Sequence, residues 1–400
     1  MKSFKTNLDD FKKALDKGRP PNIKKLFPNS QALIVSGKFI DRAMIQKKKA
    51  MAIAVNGRNY FVLKGSLMAA QKANAAIIIE IAKSEGGTNP YCPTNFWNLA
   101  MYVDYLCNQL GITVPVAIHA DHFGIKKPEE IAQAKIEIPS VFDAGITSIA
   151  IDASHMSDEE NLLANIELTP FVPEWAGLET EVGEIKGKLG LSTPEEALYL
   201  IQGLNEKNIF PDWIALNNGT THGIETSDAG IDIKLTKQIH DVLLKYNISG
   251  AQHGTSGNNS ERLKAIVSET KTTKANVATA LQMISWGVEV NDYGNAILDN
   301  DGDFIKVPNK GVNEEVWHEM LSYAEINGLK GGNFKKLNLP FENRLRSQPP
   351  KIRARMAKDV ENFVFNLLVN VFNAKDTASI AIEDILKTGS YNPGPKTENL

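Results

Sequence analysis

The stretch VPVAIHADH at residues 114–122 is followed by a helix-patterned run, Pro128–Gly145, closed by a glycine, and then by TSIAI at residues 147–151. Two short runs that are almost wholly apolar, separated by one helix, form a βαβ unit whose strands are buried on both faces. The same unit recurs on either side. The further apolar runs are Met51–Val55, Ala75–Ile81, Trp175–Val182, Trp213–Leu216, Ile248–Gln252 and Thr273–Val277, which with Val114–His119 and Thr147–Ile151 make eight. Gly65–Asn74, Pro194–Asn205 and Lys234–Tyr246 are helix-patterned connections. The second of these opens Ser192-Thr-Pro-Glu-Glu196, an N-cap, a first-turn proline and acidic residues. Eight strand–helix units in one continuous stretch predict a TIM (β/α)₈ barrel within the α/β class. A doubly wound nucleotide-binding sheet would need a Gly-rich fingerprint after an early strand, and the sequence has none.

The alternation sets three regions. Residues 1–45 are an N-terminal helical arm broken at Pro20-Pro21, residues 46–290 are the barrel, and residues 291–400 are a C-terminal helical extension. Within the extension, Asn291–Lys310 is turn-rich and helices are expected over Glu314–Asn327 and Lys351–Asn373. The polar, Gly- and Pro-containing end from Thr388 is expected to be loose. A barrel is closed without these 110 residues, so the extension is expected to pack on its outside or to form a subunit interface in a homo-oligomer, a dimer or tetramer.

Across 400 residues the apolar fraction is 42%, the charged fraction 23% and the formal net charge −3. That composition belongs to a globular protein and lacks the basic surplus of a nucleic-acid binder. No apolar run is long enough to span a membrane, and Met1–Pro28 has no apolar signal core. The two cysteines, Cys92 and Cys107, are too few for a disulfide framework, so reduced thiols and a cytoplasmic location are expected.

Chemistry in this architecture gathers at the C-terminal ends of the strands, and the polar residues fall there. The third run ends in His119-Ala-Asp121-His122, the fourth in Asp152, and the fifth in Glu179-Thr-Glu181. The sixth ends in Asn217-Asn-Gly-Thr-Thr-His222-Gly223, and the seventh in His253-Gly254-Thr-Ser256-Gly257. The steps from His122 to Asp152, Glu181, His222 and His253 are 30, 29, 41 and 31 residues, about one βα unit apiece, which brings them round a single rim. Three imidazoles that leave one position open are a common catalytic zinc set, so His122, His222 and His253 are the expected ligands. His119 is read as structural, and His155, His240 and His318 as solvated. Gly223, the turn Gly254–Gly257 and the helix start Asn276–Thr279 offer backbone N–H groups to a phosphate where barrels commonly bind one.

Together, VPVAIHADH, Glu179-x-Glu181-Val-Gly183, Gly219-Thr-Thr-His222-Gly223, His253-Gly-Thr-Ser256-Gly257 and Asn276-Val-Ala-Thr279 resemble the class II, metal-dependent fructose-bisphosphate aldolases. The resemblance runs from about Asn56 to Thr279, with a looser likeness through 350–374. It implies a lyase of glycolysis and gluconeogenesis that splits fructose 1,6-bisphosphate into dihydroxyacetone phosphate and glyceraldehyde 3-phosphate on one catalytic Zn²⁺. By the same likeness Asp121 is the acid/base for the C4 hydroxyl, and Glu181 and Asp152 lie near a second metal or a monovalent-cation position. Gly223, Gly254, Ser256, Asn276 and Thr279 would hold the dihydroxyacetone-phosphate half, and Asn56 would contact substrate.

The chain departs from the family pattern in places. The loop Glu184–Gly190 is short and basic, leaving Glu184 as its one acidic candidate for the enolising base. Ala278 stands where family members often carry an acid. For the distal phosphate the late basic stretch offers Lys351, Arg353 and Arg355, of which Lys351 and Arg355 are the candidates taken. Tagatose 1,6-bisphosphate is the alternative substrate, and a metal-dependent barrel hydrolase the more remote one. The hydrolase reading expects a His-x-His pair where Val55-Asn56-Gly57 stands.

Overall fold

The computed structural model describes residues 7–183, 190–219, 230–256, 258–291 and 294–396. Helices α1 (Leu8–Gly18), α2 (Pro21–Leu26) and α3 (Gly37–Lys47) precede the first strand. The strands are β1 (Ala52–Asn56), β2 (Ile77–Ala82), β3 (Val116–Gly124), β4 (Ser148–Asp152), β5 (Gly177–Val182), β6 (Trp213–Leu216), β7 (Ser249–Gln252) and β8 (Thr272–Val277). All pair in parallel, each with its chain neighbours, and β8 closes on β1 through Ala52↔Lys274 to Val55↔Val277. The chain is therefore a closed (β/α)₈ barrel. The eight strands fall within two residues of the apolar runs, except that β3 continues to Gly124.

The helices between strands are α4 (Tyr60–Ala73), α5 (Lys83–Gly86), α6 (Leu99–Leu110), α7 (Ile131–Asp143), α8 (Asp158–Leu168), α9 (Pro194–Asn205), α10 (Ile233–Val242) and α11 (Ser260–Glu269), with α12 (Thr279–Trp286) after β8. Their starts are chemically marked. Thr193 and Glu196 form the capping box that the sequence signals for α9, and Ser157 with Glu160 repeats it for α8.

Beyond the barrel come α13 (Glu314–Ile326), α14 (Asn338–Arg346), α15 (Pro350–Asn366) and α16 (Thr377–Thr388). The turn-rich 291–310 region contains antiparallel bridges such as Leu298↔Phe304. Helix α15 packs on α4 and α12, and α16 on α1 and α3, so both ends of the chain coat the barrel wall. A second apolar cluster, including Phe61, Trp286, Trp317, Phe334 and Leu345, joins the extension to α4 and α12. At roughly 1.5–3 kcal/mol per fully buried large side chain, this interface fixes the extension firmly. The segment up to Lys396 is not loose as its composition suggests. The Lys396 ammonium donates to Asp41 Oδ2 (2.5 Å), Asp212 O (2.8 Å) and Ser249 Oγ (3.1 Å) beneath the barrel. Among the described residues no helix is long and apolar enough to cross a membrane.

Candidate active site

In a regular strand, consecutive side chains point to opposite faces, so Asp121 and His122 could not both face the barrel mouth. The structure solves this with a bulge. The β3–β4 register shifts between Ala120 and Phe123, and His122 takes φ 43°, uncommon for a residue with a Cβ. Both side chains thereby line one cleft.

His122 Nδ1 lies 3.0 Å from Glu181 Oε1 and 3.3 Å from Asp152 Oδ2. The His253 ring sits with its centroid 4.3 Å from that of His122, and its Nδ1 is 3.7 Å from Glu181 Oε2. Two imidazoles and the Asp121, Asp152 and Glu181 carboxylates thus come from β3, β4, β5 and the end of β7 into adjoining groups, His122 shared by Asp121–His253 on one side and Asp152–Glu181 on the other. The charges respond to the crowding. Burial pushes the Glu181 carboxyl well above its ordinary value, Asp152 adding and His122 opposing. Burial would lower His122, but Glu181, Asp121 and Asp152 outweigh it and hold the imidazole well above its usual pKa. For Asp152 burial again acts upward, and hydrogen bonds from His122 and Ser154 more than reverse it. His222, Gly223 and Glu184 lie outside the described residues.

Beneath this cluster the barrel interior is charged. Lys274 Nζ lies 2.7 Å from Glu179, 3.4 Å from Glu80 and 3.7 Å from Asp121. His119 is fully buried as a structural residue, its Nδ1 2.7 Å from Ser148 Oγ. Burial, with Lys274 next, drives its pKa well below normal, so it is neutral. His240 is buried too, not solvated; it packs over Gly250, where a Cβ would meet its ring at 2.4 Å.

The cleft has a volume of about 810 Å³ and takes in Asn56, Gly254, Ser256, Asn276 and Thr279 along with Asp121, His122, Asp152 and His253. A second hollow of about 660 Å³ opens at the other end of the barrel, away from all of these. Asn276 donates to Asp121 Oδ1 at 2.9 Å. Asn56 donates to Glu85 Oε2 at 2.7 Å. Thr279 begins α12, whose N-terminus therefore opens at the cleft.

Lys351 and Arg355 are not brought there. Lys351 is exposed, and Arg355 donates to the carbonyls of Gly311 (2.6 Å) and Val312 (2.9 Å). The cations that do line the cleft include Arg58 and Lys335, neither of which the sequence marks. Arg58 is paired with Glu85 and donates to Thr279 Oγ1 and Gln282 Oε1, both at 3.3 Å. Lys335 comes from the extension, flanked by the buried anchors Phe334 and Leu337. Next to it Asn338 donates to Gln282 at 2.8 Å and accepts from Asn59 at 3.0 Å, tying the segment to the barrel. The Lys335 ammonium makes no hydrogen bond or ion pair among the described residues. Burial, then repulsion from Arg58, lowers its pKa.

The donor set suits a divalent cation. Glu181 Oε1 is buried and, although 3.0 Å from His122 Nδ1, makes no hydrogen bond of good geometry, and mixed imidazole and carboxylate ligands are those of zinc and its neighbours.

Known proteins share the sequence pattern and the fold of this chain. The model of the family described as fructose-bisphosphate aldolase class-II matches residues 38–327. A fructose-bisphosphate aldolase of Ureaplasma parvum is 30% identical over 288 residues, covering 70% of this chain and 92% of its own length. One from Staphylococcus aureus is 28% identical over 236 residues, 58% of this chain and 76% of that protein. Among solved structures, the YdjI aldolase of Escherichia coli K12 superposes with TM-score 0.57 at 18% identity, covering 86% of this chain and 99% of its own. The fructose-bisphosphate aldolase of Campylobacter jejuni gives 0.53 at 19% identity, covering 86% and 97%. At those identities the structures speak for the fold, while the family model covers well over half the sequence: the chain is a lyase belonging to the class II fructose-bisphosphate aldolases.

Proposed function

We propose that this aldolase is zinc-dependent and cleaves fructose 1,6-bisphosphate reversibly to dihydroxyacetone phosphate and glyceraldehyde 3-phosphate. The observation that carries the reading is the β3 bulge, which turns a carboxylate and an imidazole, Asp121 and His122, toward the same cleft as His253. His122 and His253, with His222, would hold the metal, and Glu181 and Asp152 supply the acidic side of its surroundings or a second cation position. Bound there, zinc supplies a Lewis acid for the ketose carbonyl. In the cleavage direction the Asp121 carboxylate accepts the C4 hydroxyl proton as the C3–C4 bond breaks, and Asn276 aims that carboxylate by donating to Oδ1. Glu184 is the candidate for returning a proton to the three-carbon fragment.

Gly223, Gly254, Ser256 and Thr279 would bind the phosphate next to the metal, with the α12 N-terminus contributing its dipole, and Asn56 the sugar hydroxyls. Lys335 replaces Lys351 and Arg355 as the anchor for the far phosphate, because it lines the cleft and the other two do not. Anchoring both ends positions the reacting carbons. A cytoplasmic homo-oligomer, dimer or tetramer, remains the expected setting.

The test is an assay of the purified protein on fructose 1,6-bisphosphate and, separately, tagatose 1,6-bisphosphate, with and without EDTA. Cleavage of the fructose sugar, abolished by EDTA and restored by zinc, supports the reading. Faster turnover of the tagatose sugar refutes the substrate, and EDTA-resistant cleavage that borohydride inactivates refutes the metal.

A further inference from the structure

Glu179 belongs to none of the roles above, yet it is fully buried two residues before Glu181 on β5, and period-two alternation directs both carboxylates into the barrel. Its Oε1 meets His253 Nε2 at 2.9 Å. Its Oε2 accepts from Lys274 Nζ at 2.7 Å and lies 3.5 Å from His119 Nε2. On the opposite edge of the same ring, His253 Nδ1 faces Glu181 Oε2 at 3.7 Å. A neutral imidazole has one N–H and one lone pair. With Oε2 already accepting from Lys274, Oε1 is placed to accept from Nε2–H, which puts the proton on Nε2 and the lone pair on Nδ1.

We propose that Glu179 is a positioning residue for the metal: it locks His253 in the Nε2–H tautomer that presents Nδ1 to the cation, and Lys274 holds Glu179 in place. This rests on the metal reading above. The arrangement has the form of a carboxylate–histidine–metal relay, in which the outer carboxylate fixes both the ring's orientation and its tautomer and raises its basicity. Lys274 gives the relay its direction. With Oε2 bound to a buried ammonium, Glu179 stays on the interior side of the ring and does not swing out to become a ligand itself.

Two measurements test it, neither depending on which sugar is cleaved. In the zinc-loaded full chain labelled with ¹⁵N-histidine, long-range ¹H–¹⁵N correlation spectra should place the His253 proton on Nε2, the signals being assigned by their loss in His253→Gln. A bare, unprotonated Nε2 overturns the proposal. Zinc affinity from competition with a chromogenic chelator should fall about 10–100-fold in Glu179→Gln, whereas kcat at saturating zinc changes much less. Because that variant leaves Lys274 buried without its main partner, the charge-balanced double variant Glu179→Gln/Lys274→Met is measured beside it. Wild-type zinc affinity in whichever of the two is folded by circular dichroism overturns the proposal, and the tautomer of the unmutated protein decides the matter if neither folds. A wild-type chain that takes up no zinc overturns the metal reading as well, a different result from equal affinities.

Discussion

Replacing Lys274 with methionine should cost this protein a large share of its stability, and more at alkaline than at acid pH. The ammonium is fully buried, 2.7 Å from Glu179, 3.4 Å from Glu80 and 3.7 Å from Asp121. Methionine fills much of the volume but leaves three carboxylates around an apolar tip. Removing one partner of a buried charge pair typically costs about 3–5 kcal/mol, against a total of about 5–15 kcal/mol for a folded domain. The pH dependence follows from Glu80. Burial, with Asp121 next, already holds its carboxyl well above the ordinary value, Lys274 opposing. A carboxyl whose folded pKa lies above its unfolded value of about 4.3 takes up protons on folding, so its contribution falls as pH rises through that interval. Loss of Lys274 pushes the folded value further up and widens the interval. His119 acts in the same sense, since burial and then Lys274 lower its pKa, and the variant removes the second of these causes, which eases its protonation in acid. Urea unfolding followed by circular dichroism at pH 5, 6.5 and 8 measures the difference from wild type. The expected deficit is about 3 kcal/mol or more at pH 8 and clearly smaller at pH 5. A loss below about 1 kcal/mol at pH 8, the range of an exposed pair, or a deficit that grows toward acid, would refute the reasoning.

Three further outcomes are expected. His253→Ala should lose bound zinc by elemental analysis while keeping the barrel's far-UV spectrum; full zinc content in the variant would remove His253 from the ligand set. Asp121→Asn should keep its zinc and lose about 10²–10⁴-fold in kcat, the usual worth of one acid/base group, and near-normal turnover would end that role. Lys335→Gln should lower kcat/KM for a ketose 1,6-bisphosphate by about 10–100-fold through KM, as loss of one charged hydrogen bond of about 1.5–3 kcal/mol implies, while a ketose 1-phosphate is cleaved as before. An equal loss on both sugars would show that Lys335 does not read the far phosphate.

Several features of the site were visible because they are periodic. His119 with Asp121, Glu179 with Glu181 and Lys274 with Asn276 are each two residues apart on one strand, the mark of side chains turned into a barrel. The resemblance gives a role only to the outer member of each pair, the one at the rim. The inner members are the fully buried His119, Glu179 and Lys274, and the alternation is the signal that finds them. Lys335 had no such signal. It is one lysine of a Lys-Lys pair in the C-terminal extension, and the packing of Phe334 and Leu337 with the hydrogen bonds of Asn338 aims it at the cleft.

By itself, the sequence determined the eight strands, their parallel order and the rim on which His122, Asp152, Glu181 and His253 stand, because burial on both faces imposes near-continuous apolar runs and one-unit spacing carries each strand end to the same side. Tertiary structure alone decided which side chains face one another. The β3 bulge turns Asp121 and His122 together into the cleft, the closed barrel stacks Lys274 against Glu179 across 95 residues, and the extension supplies Lys335 to the cleft lining. These contacts depend on register, curvature and the packing of distant segments, which no local pattern of residues encodes.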